Sequence, residues 1–190
     1  MTMLKEFKDR ILSSLSLKPR RYLDMDEIEL SNEREGIHYR LAVREDIVGM
    51  LAVERSVYDG QTPWMFSHFE EEIIKNENAF FVIAESDEKV VGFIGARLVN
   101  HGRDVHISNL AVSKKFQARG IATQLIGQVV QLMSIMNKSI ISLEVRRENT
   151  HAQALYRRHG FTSDKVLIQY YEGGGDAILM KKDLKHESKN

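Results

Sequence analysis

The sequence predicts a mixed α/β fold: a mostly antiparallel sheet flanked by helices, behind a short helical extension. Three observations lead there. Apolar runs of strand length recur at residues 38–43, 80–85, 90–98, 105–112, 140–145, 161–170 and 177–181. Segments with helical periodicity fall between some of these runs, and short turn-rich links join others. Hairpins at both ends of the sheet argue against a purely parallel, doubly wound arrangement.

A chain of 190 residues with 43% hydrophobic content supports one full core, so a single domain over residues 37–190 is expected behind an extension of residues 1–36. The absence of cysteine excludes disulfides and thiolate metal sites and fits a reducing, cytoplasmic setting. No apolar run reaches the ~18 residues that span a bilayer, and the N-terminus lacks the apolar core of a signal peptide. Lys plus Arg equals Asp plus Glu at 27 each, so no overall field draws the chain to nucleic acid. The balance hides an asymmetry: residues 1–21 are basic, and residues 24–35 carry six acids against Arg34. Such blocks ordinarily form solvated faces or tails.

Leu4, Phe7, Ile11, Leu12 and Leu15 share one helical face, with Thr2 as a candidate cap and Pro19 beyond the end. The acidic run after it reads as a linker. Following the first strand, Glu45 and Asp46 open a helix whose apolar face is Ile47, Met50, Leu51 and Val53. A turn-rich stretch through Pro63 and Trp64 precedes a second helix over residues 66–75, built on Phe66, Phe69, Ile73 and Ile74. Residues 86–89 read as a hairpin turn and residues 100–103 as a loop. A long helix over residues 118–137 buries Ile121, Leu125, Ile126, Val129, Leu132, Met133 and Met136. The strand at residues 140–145, apolar on both faces, reads as central and parallel. Asn149 caps a helix carrying Ala152, Leu155 and Tyr156, and Gly160 fits the left-handed position that ends it.

The stretch from Val105 to Ile126 concentrates the chemistry. A strand enters a helix through a basic, glycine-bearing turn, which leaves backbone N–H groups free at the positive end of a helix dipole. That arrangement suits a phosphate or pyrophosphate, and Gly120 lets the backbone come close to a ligand. An ordinary strand-to-helix connection accounts for the same residues. Glu144 lies between Leu143 and Val145, and burying a carboxylate is costly unless it is hydrogen-bonded or protonated. Burial would raise its pKa toward that of a useful base; alternatively it pairs with Arg146, Arg147 or Arg103. Tyr156, on a core-facing stripe, reads by spacing as a packing residue. The seven histidines show no metal spacing and read as loop and surface residues. Residues 173–175 are no nucleotide loop, lacking a strand-to-helix context.

Gln117-Ala118-Arg119-Gly120-Ile121-Ala122 resembles the Q/R-x-x-G-x-G/A signature of the GNAT acyltransferase superfamily. Asn109-Leu110-Ala111-Val112 before it, and Leu143-Glu144-Val145-Arg146, Asn149 and residues 154–161 after it, stand at that family's spacing. Tyr170-Tyr171 and residues 176–180 resemble the branch that acetylates protein N-termini, most of all the bacterial ribosomal-protein-alanine N-acetyltransferases. The resemblance covers residues 39–182.

It implies acetyl-CoA as acetyl donor, with the pyrophosphate on Gln117, Ala118, Arg119, Gly120, Ile121, Ala122 and Thr123. The pantetheine arm would lie along Leu110, Ala111 and Val112 and reach Asn149. The backbone N–H of Val112 is then the oxyanion donor, Glu144 the general base and Tyr156 the general acid. Trp64, Tyr170 and Tyr171 would shape the acceptor groove; adjacent tyrosines point to opposite faces of a strand, so at most one of the two touches substrate directly. The implied acceptor is a protein N-terminal α-amine, alanine of a small-subunit ribosomal protein first. A small-molecule amine such as a polyamine or aminoglycoside is the alternative, favoured by an acidic groove. A non-catalytic acyl-CoA sensor would keep the turn but lose Glu144 and Tyr156. Three departures stand out: Ala122 for the third glycine, Gly175 where relatives often carry Glu, and the N-terminal extension.

Overall fold

The computed structural model describes residues 36–60 and 62–184. The helix and acidic linker expected before residue 36 lie outside these residues. Seven strands form one sheet in the order β1-β2-β3-β4-β5-β7-β6. Strands β1 (His38–Leu41), β2 (Ala79–Ser86), β3 (Lys89–Val99) and β4 (Asp104–Val112) make an antiparallel meander. Strand β5 (Ile140–Arg146) lies parallel to β4, and β7 (Ala177–Asp183) inserts antiparallel between β5 and β6 (Thr162–Leu167). The mixed, mostly antiparallel sheet expected from the hairpin links is therefore present. The turn between β2 and β3 shows why: Asp87 (φ 48°) and Glu88 (φ 59°) are both left-handed. That two-residue geometry matches the twist of the strands it joins.

Helices cover both faces. Helix α1 (Ile47–Val57) and α2 (Phe66–Glu70) bury Ile47, Met50, Val53 and Phe69 against Phe81, Ile83 and Phe93. Helix α3 (Ile121–Ile135) and α4 (Thr150–Arg158) pack the opposite face, where Leu125, Ile126, Val129 and Tyr156 meet Val82, Ile94, Leu143 and Met180. Beyond α2, residues Glu71–Lys75 wind as a wider π turn. Ile73 stays inside, whereas Ile74, expected inside, leaves the stripe and is 52% exposed. None of the described helices is long and apolar enough to cross a membrane.

Helix α3 starts three residues later than its periodicity predicts. Ala118 has φ 61° and Gly120, the N-cap, φ 78°, so neither can belong to a right-handed helix. Met136, expected in the core, lies just past the helix and is only partly buried. Helix α4 ends as read: Gly160 is left-handed (φ 81°), Phe161 N–H donates to Tyr156 O (3.1 Å) and Gly160 N–H to Arg157 O (3.0 Å). At its start Asn149 Oδ1 accepts from Ala152 N–H at 3.0 Å. Replacing Asn149 by Ala should cost about 1 kcal/mol in denaturant unfolding, the usual loss for a side-chain cap.

Strand β5 corrects one expectation. It is central, but parallel only to β4 and antiparallel to β7 along its length. Its faces also differ: Ile141, Leu143 and Val145 are buried, while Ser142 and Glu144 point to the other side and are half-buried. Strand β4 carries a bulge. Gly95 pairs with Asn109 and Ala96 with Ile107, so Ser108 is the extra residue, and the strand bends there.

Candidate active site

The bulge has a direct consequence. Strands β4 and β5 are in register only at Val105–Ile141 and His106–Ser142. Beyond that point they diverge, and residues 107–112 of β4 keep β3 as their partner while β5 is held by β7. A gap thus opens in the middle of the sheet, with one edge of β4 unpaired along it. Ser113 N–H donates to Val91 O at 2.9 Å, on the β3 side. Alternation then turns the N–H of Val112 toward the gap. The carbonyl of Val112 accepts from Gln117 Nε2 at 3.0 Å, which ties the end of the strand to the turn that follows.

That turn leads into α3 through two left-handed residues, Ala118 and Gly120. The first N–H groups of α3 have no partner within the helix and face outward from its positive end. A Cβ on Gly120 would meet nothing within 4 Å. Within the protein, glycine is therefore needed here for its backbone angle. Residues 117–123 thus carry free backbone N–H groups close to the end of β4.

Glu144 and His106 face each other across the closed end of the gap. Their side chains are each 17% exposed, and His106 Nε2 lies 3.1 Å from Glu144 Oε2. On the other ring nitrogen, Nδ1 is 3.2 Å from Ser142 Oγ. Burial lowers the His106 pKa below the ordinary value; the Glu144 charge opposes this and Arg97 adds to it. With the imidazole neutral, a proton on Nε2 suits the carboxylate 3.1 Å away, while Nδ1 faces Ser142 Oγ, which also donates to the Val105 carbonyl at 3.4 Å. Glu144 is thus paired with a histidine, and not with Arg103, Arg146 or Arg147. His106 is not the surface residue that its isolated position in the sequence indicated.

Tyr170 lies beside Glu144, and burial together with that carboxylate raises its hydroxyl pKa. Neither Tyr170 nor Tyr171 lies in a strand. Strand β6 stops at Leu167, and Gln169 (φ 52°) turns the chain, so the opposite-face rule does not apply. The two rings meet edge to face at 5.1 Å, and Arg146 stacks its guanidinium 4.1 Å from the Tyr171 ring centre. Asp176 pins this loop, accepting from Gln169 N–H and pairing with Arg147, both at 3.1 Å. Gly175 sits at φ 124°, where a Cβ would lie 3.0 Å from Arg146 Nη1. A glutamate there would strain the backbone and crowd that guanidinium.

Tyr156 is buried, with its ring edge on Phe161 at 5.8 Å. Burial raises its pKa well above that of an ordinary phenol, and the neighbouring Tyr171 and Tyr58 raise it further. Trp64 is placed differently from the other groove candidates. Its ring stacks in a cluster with Phe69 (5.1 Å) and Phe81 (6.1 Å), and its backbone N–H donates to Glu54 Oε2 at 3.1 Å. Glu54 is 3% exposed, and burial raises its carboxyl pKa. Its place was readable: it follows Ile47 and Met50 by seven and four residues, on the same helical face. His106 was readable too, since strand alternation opposes it to Val105 and Ile107.

Residues 51–161 match the Acetyltransferase (GNAT) family. An N-alpha-acetyltransferase of Sulfurisphaera tokodaii is 33% identical over 173 residues, covering 83% of this chain and all of that protein. The putative [ribosomal protein bS18]-alanine N-acetyltransferase of Bacillus subtilis is 29% identical over 72% of this chain and 88% of its own. The crystal structure of the ribosomal-protein-S18-alanine N-acetyltransferase from Escherichia coli superposes with a TM-score of 0.70. At 21% identity over 78% of this chain and 94% of that one, the likeness shows the fold. Fold, family match and a relative aligned from end to end agree: the chain belongs to the GNAT acetyltransferase family, enzymes that take their acetyl group from acetyl-CoA.

Proposed function

We propose that this enzyme acetylates protein N-termini, with alanine of a small-subunit ribosomal protein as the first candidate acceptor. The observation that carries the reading is the carboxylate of Glu144, paired with His106 beside the unpaired edge of β4. A carboxylate is an adequate base for an α-amine with a pKa of about 8, and a poor one for a lysine at about 10.4. The relatives' names point the same way. A polyamine calls for a clearly acidic groove, whereas Arg97 and Arg146 stand beside the acids Glu144 and Glu148 around Tyr170 and Tyr171.

The residues present fit acetyl-CoA. The turn at residues 117–123 offers free N–H groups to a pyrophosphate, and the unpaired edge of β4 at Leu110, Ala111 and Val112 offers hydrogen bonds to an amide-bearing arm. Bound there, acetyl-CoA supplies the acetyl group as a thioester. Glu144 takes the proton of the acceptor amine, directly or through a water, while His106 positions the carboxylate. The Val112 N–H stabilises negative charge developing on the carbonyl oxygen. The Tyr156 hydroxyl, kept protonated by burial, gives its proton to the departing thiolate.

An acceptor screen with acetyl-CoA against N-terminal peptides, polyamines and internal-lysine peptides tests the proposal. Turnover confined to peptides with a free α-amine supports it, and preference for a polyamine overturns it. Gly120→Val should weaken acetyl-CoA binding by tenfold or more in calorimetry while the fold survives, because a β-branched residue resists φ 78°. Affinity equal to wild type would remove the pyrophosphate site from the argument.

A further inference from the structure

Asn109 is buried at both polar atoms of its carboxamide, and neither Nδ2 nor Oδ1 has a hydrogen-bond partner in the protein. It is the sole side chain in that condition among the described residues. Native cores rarely leave such groups unsatisfied, because each forfeits its hydration without replacement. The chain makes room for this amide. A Cβ on Gly95, the residue opposite, would lie within contact range of both Asn109 Oδ1 and the Phe81 ring edge.

Its orientation depends on the bulge. In an unbroken strand, residues 106 and 109 would face opposite sides. The extra residue Ser108 puts Asn109 on the face of His106, Ala111 and Glu144, the side flanked by α1 and α2. Asn109 also belongs to the segment of β4 that has no partner on β5, at the rim of the gap. A carboxamide donates and accepts at once, which complements a peptide group and not a bare ammonium.

We infer that Asn109 is an acceptor-binding residue, its carboxamide pairing with a peptide group near the amine end of the acceptor chain. This rests on the acceptor being a protein N-terminus. The pantetheine arm carries amides too, but the backbone edge of β4 faces the gap, whereas this side chain faces the α1 and α2 side.

Asn109→Leu keeps the size and removes both polar atoms. In the full chain it should leave the melting temperature unchanged or raised, since no protein hydrogen bond is lost. With an alanine-starting peptide kcat/KM should fall about 3- to 10-fold, the value of one or two hydrogen bonds, with the KM for acetyl-CoA unchanged. Should this variant fail to fold, Asn109→Ser carries the same readouts. Unaltered peptide kinetics overturn the inference, and a lowered melting temperature beside them assigns the amide to a buried water. A raised KM for acetyl-CoA alone assigns it to the pantetheine arm and also overturns the inference. If wild type acetylates no N-terminal peptide, the proposed function falls and this inference with it; if wild type does so and Asn109→Leu matches it, only the inference falls.

Discussion

Glu144→Gln is expected to keep the fold and the affinity for acetyl-CoA while losing about 100- to 10,000-fold in turnover at pH 7, the usual cost of removing a general base. The amide has the shape of the carboxylate, so the contact with His106 Nε2 at 3.1 Å survives. What disappears is the capacity to take a proton. The loss should shrink as pH rises, because more of the acceptor amine is already neutral near its own pKa of about 8. The wild-type rate should fall on the acid side for a second reason. The His106 pKa lies below the usual 6.5, so the imidazole is neutral at assay pH. Once it protonates, it pairs with Glu144 as a cation and weakens that carboxylate as a base. The stability sign follows from the same shift. The unfolded chain binds this proton before the folded one, so His106 costs nothing above pH of about 6.5 and destabilises as pH falls below it. Steady-state turnover of both enzymes across pH 6 to 9 is the measurement. An unchanged rate at pH 7 would leave Glu144 as no more than the structural partner of His106.

Much of this architecture is legible in the sequence because it rests on local signals. The strand runs, Asn149 as a cap and Gly160 as a left-handed stop are each set by a few neighbouring residues, and all appear in place. The strand-turn-helix at residues 105–126 is equally local. The start of α3 was misplaced because the periodicity of residues 118–137 says nothing about φ at Ala118. The His106–Glu144 pair was missed for a different reason. It joins two strands 38 positions apart in the chain, and only the parallel register of β4 on β5 brings them together. The gap is likewise invisible beforehand, since one inserted residue, Ser108, sets it and no composition signal marks a bulge. Tyr170 and Tyr171 were assigned to a strand because the apolar run continues past Leu167; the turn at Gln169 has no glycine to announce it.

Tyr156→Phe tests the other half of the proposed proton transfer. The ring is a core element, buried in the same cluster as Leu143, Phe161 and Met180 and in edge contact with Phe161. Phenylalanine keeps all of that packing, so the melting temperature should move by no more than about 2–4 °C, the scale of 1 kcal/mol for a chain of this size. The hydroxyl is what changes. Burial, then Tyr171 and Tyr58, raise its pKa, so it stays protonated throughout the assay range. That makes it available as a donor, yet a reluctant one until negative charge develops beside it. A thiolate with a pKa of about 8.5 also leaves reasonably well unaided. The two effects together place the expected loss at about 10- to 1,000-fold in turnover, the weak end of general-acid catalysis. Acetyl-CoA affinity should stay near wild type, because the hydroxyl acts on the departing group and not on the bound ground state. Turnover of an alanine-starting peptide and melting temperature, measured on the same preparations, separate the alternatives. Equal turnover with a lowered melting temperature would make Tyr156 a packing residue, and the proton for the thiolate would have to come from elsewhere, with Tyr58 and Tyr171 the next hydroxyls beside it.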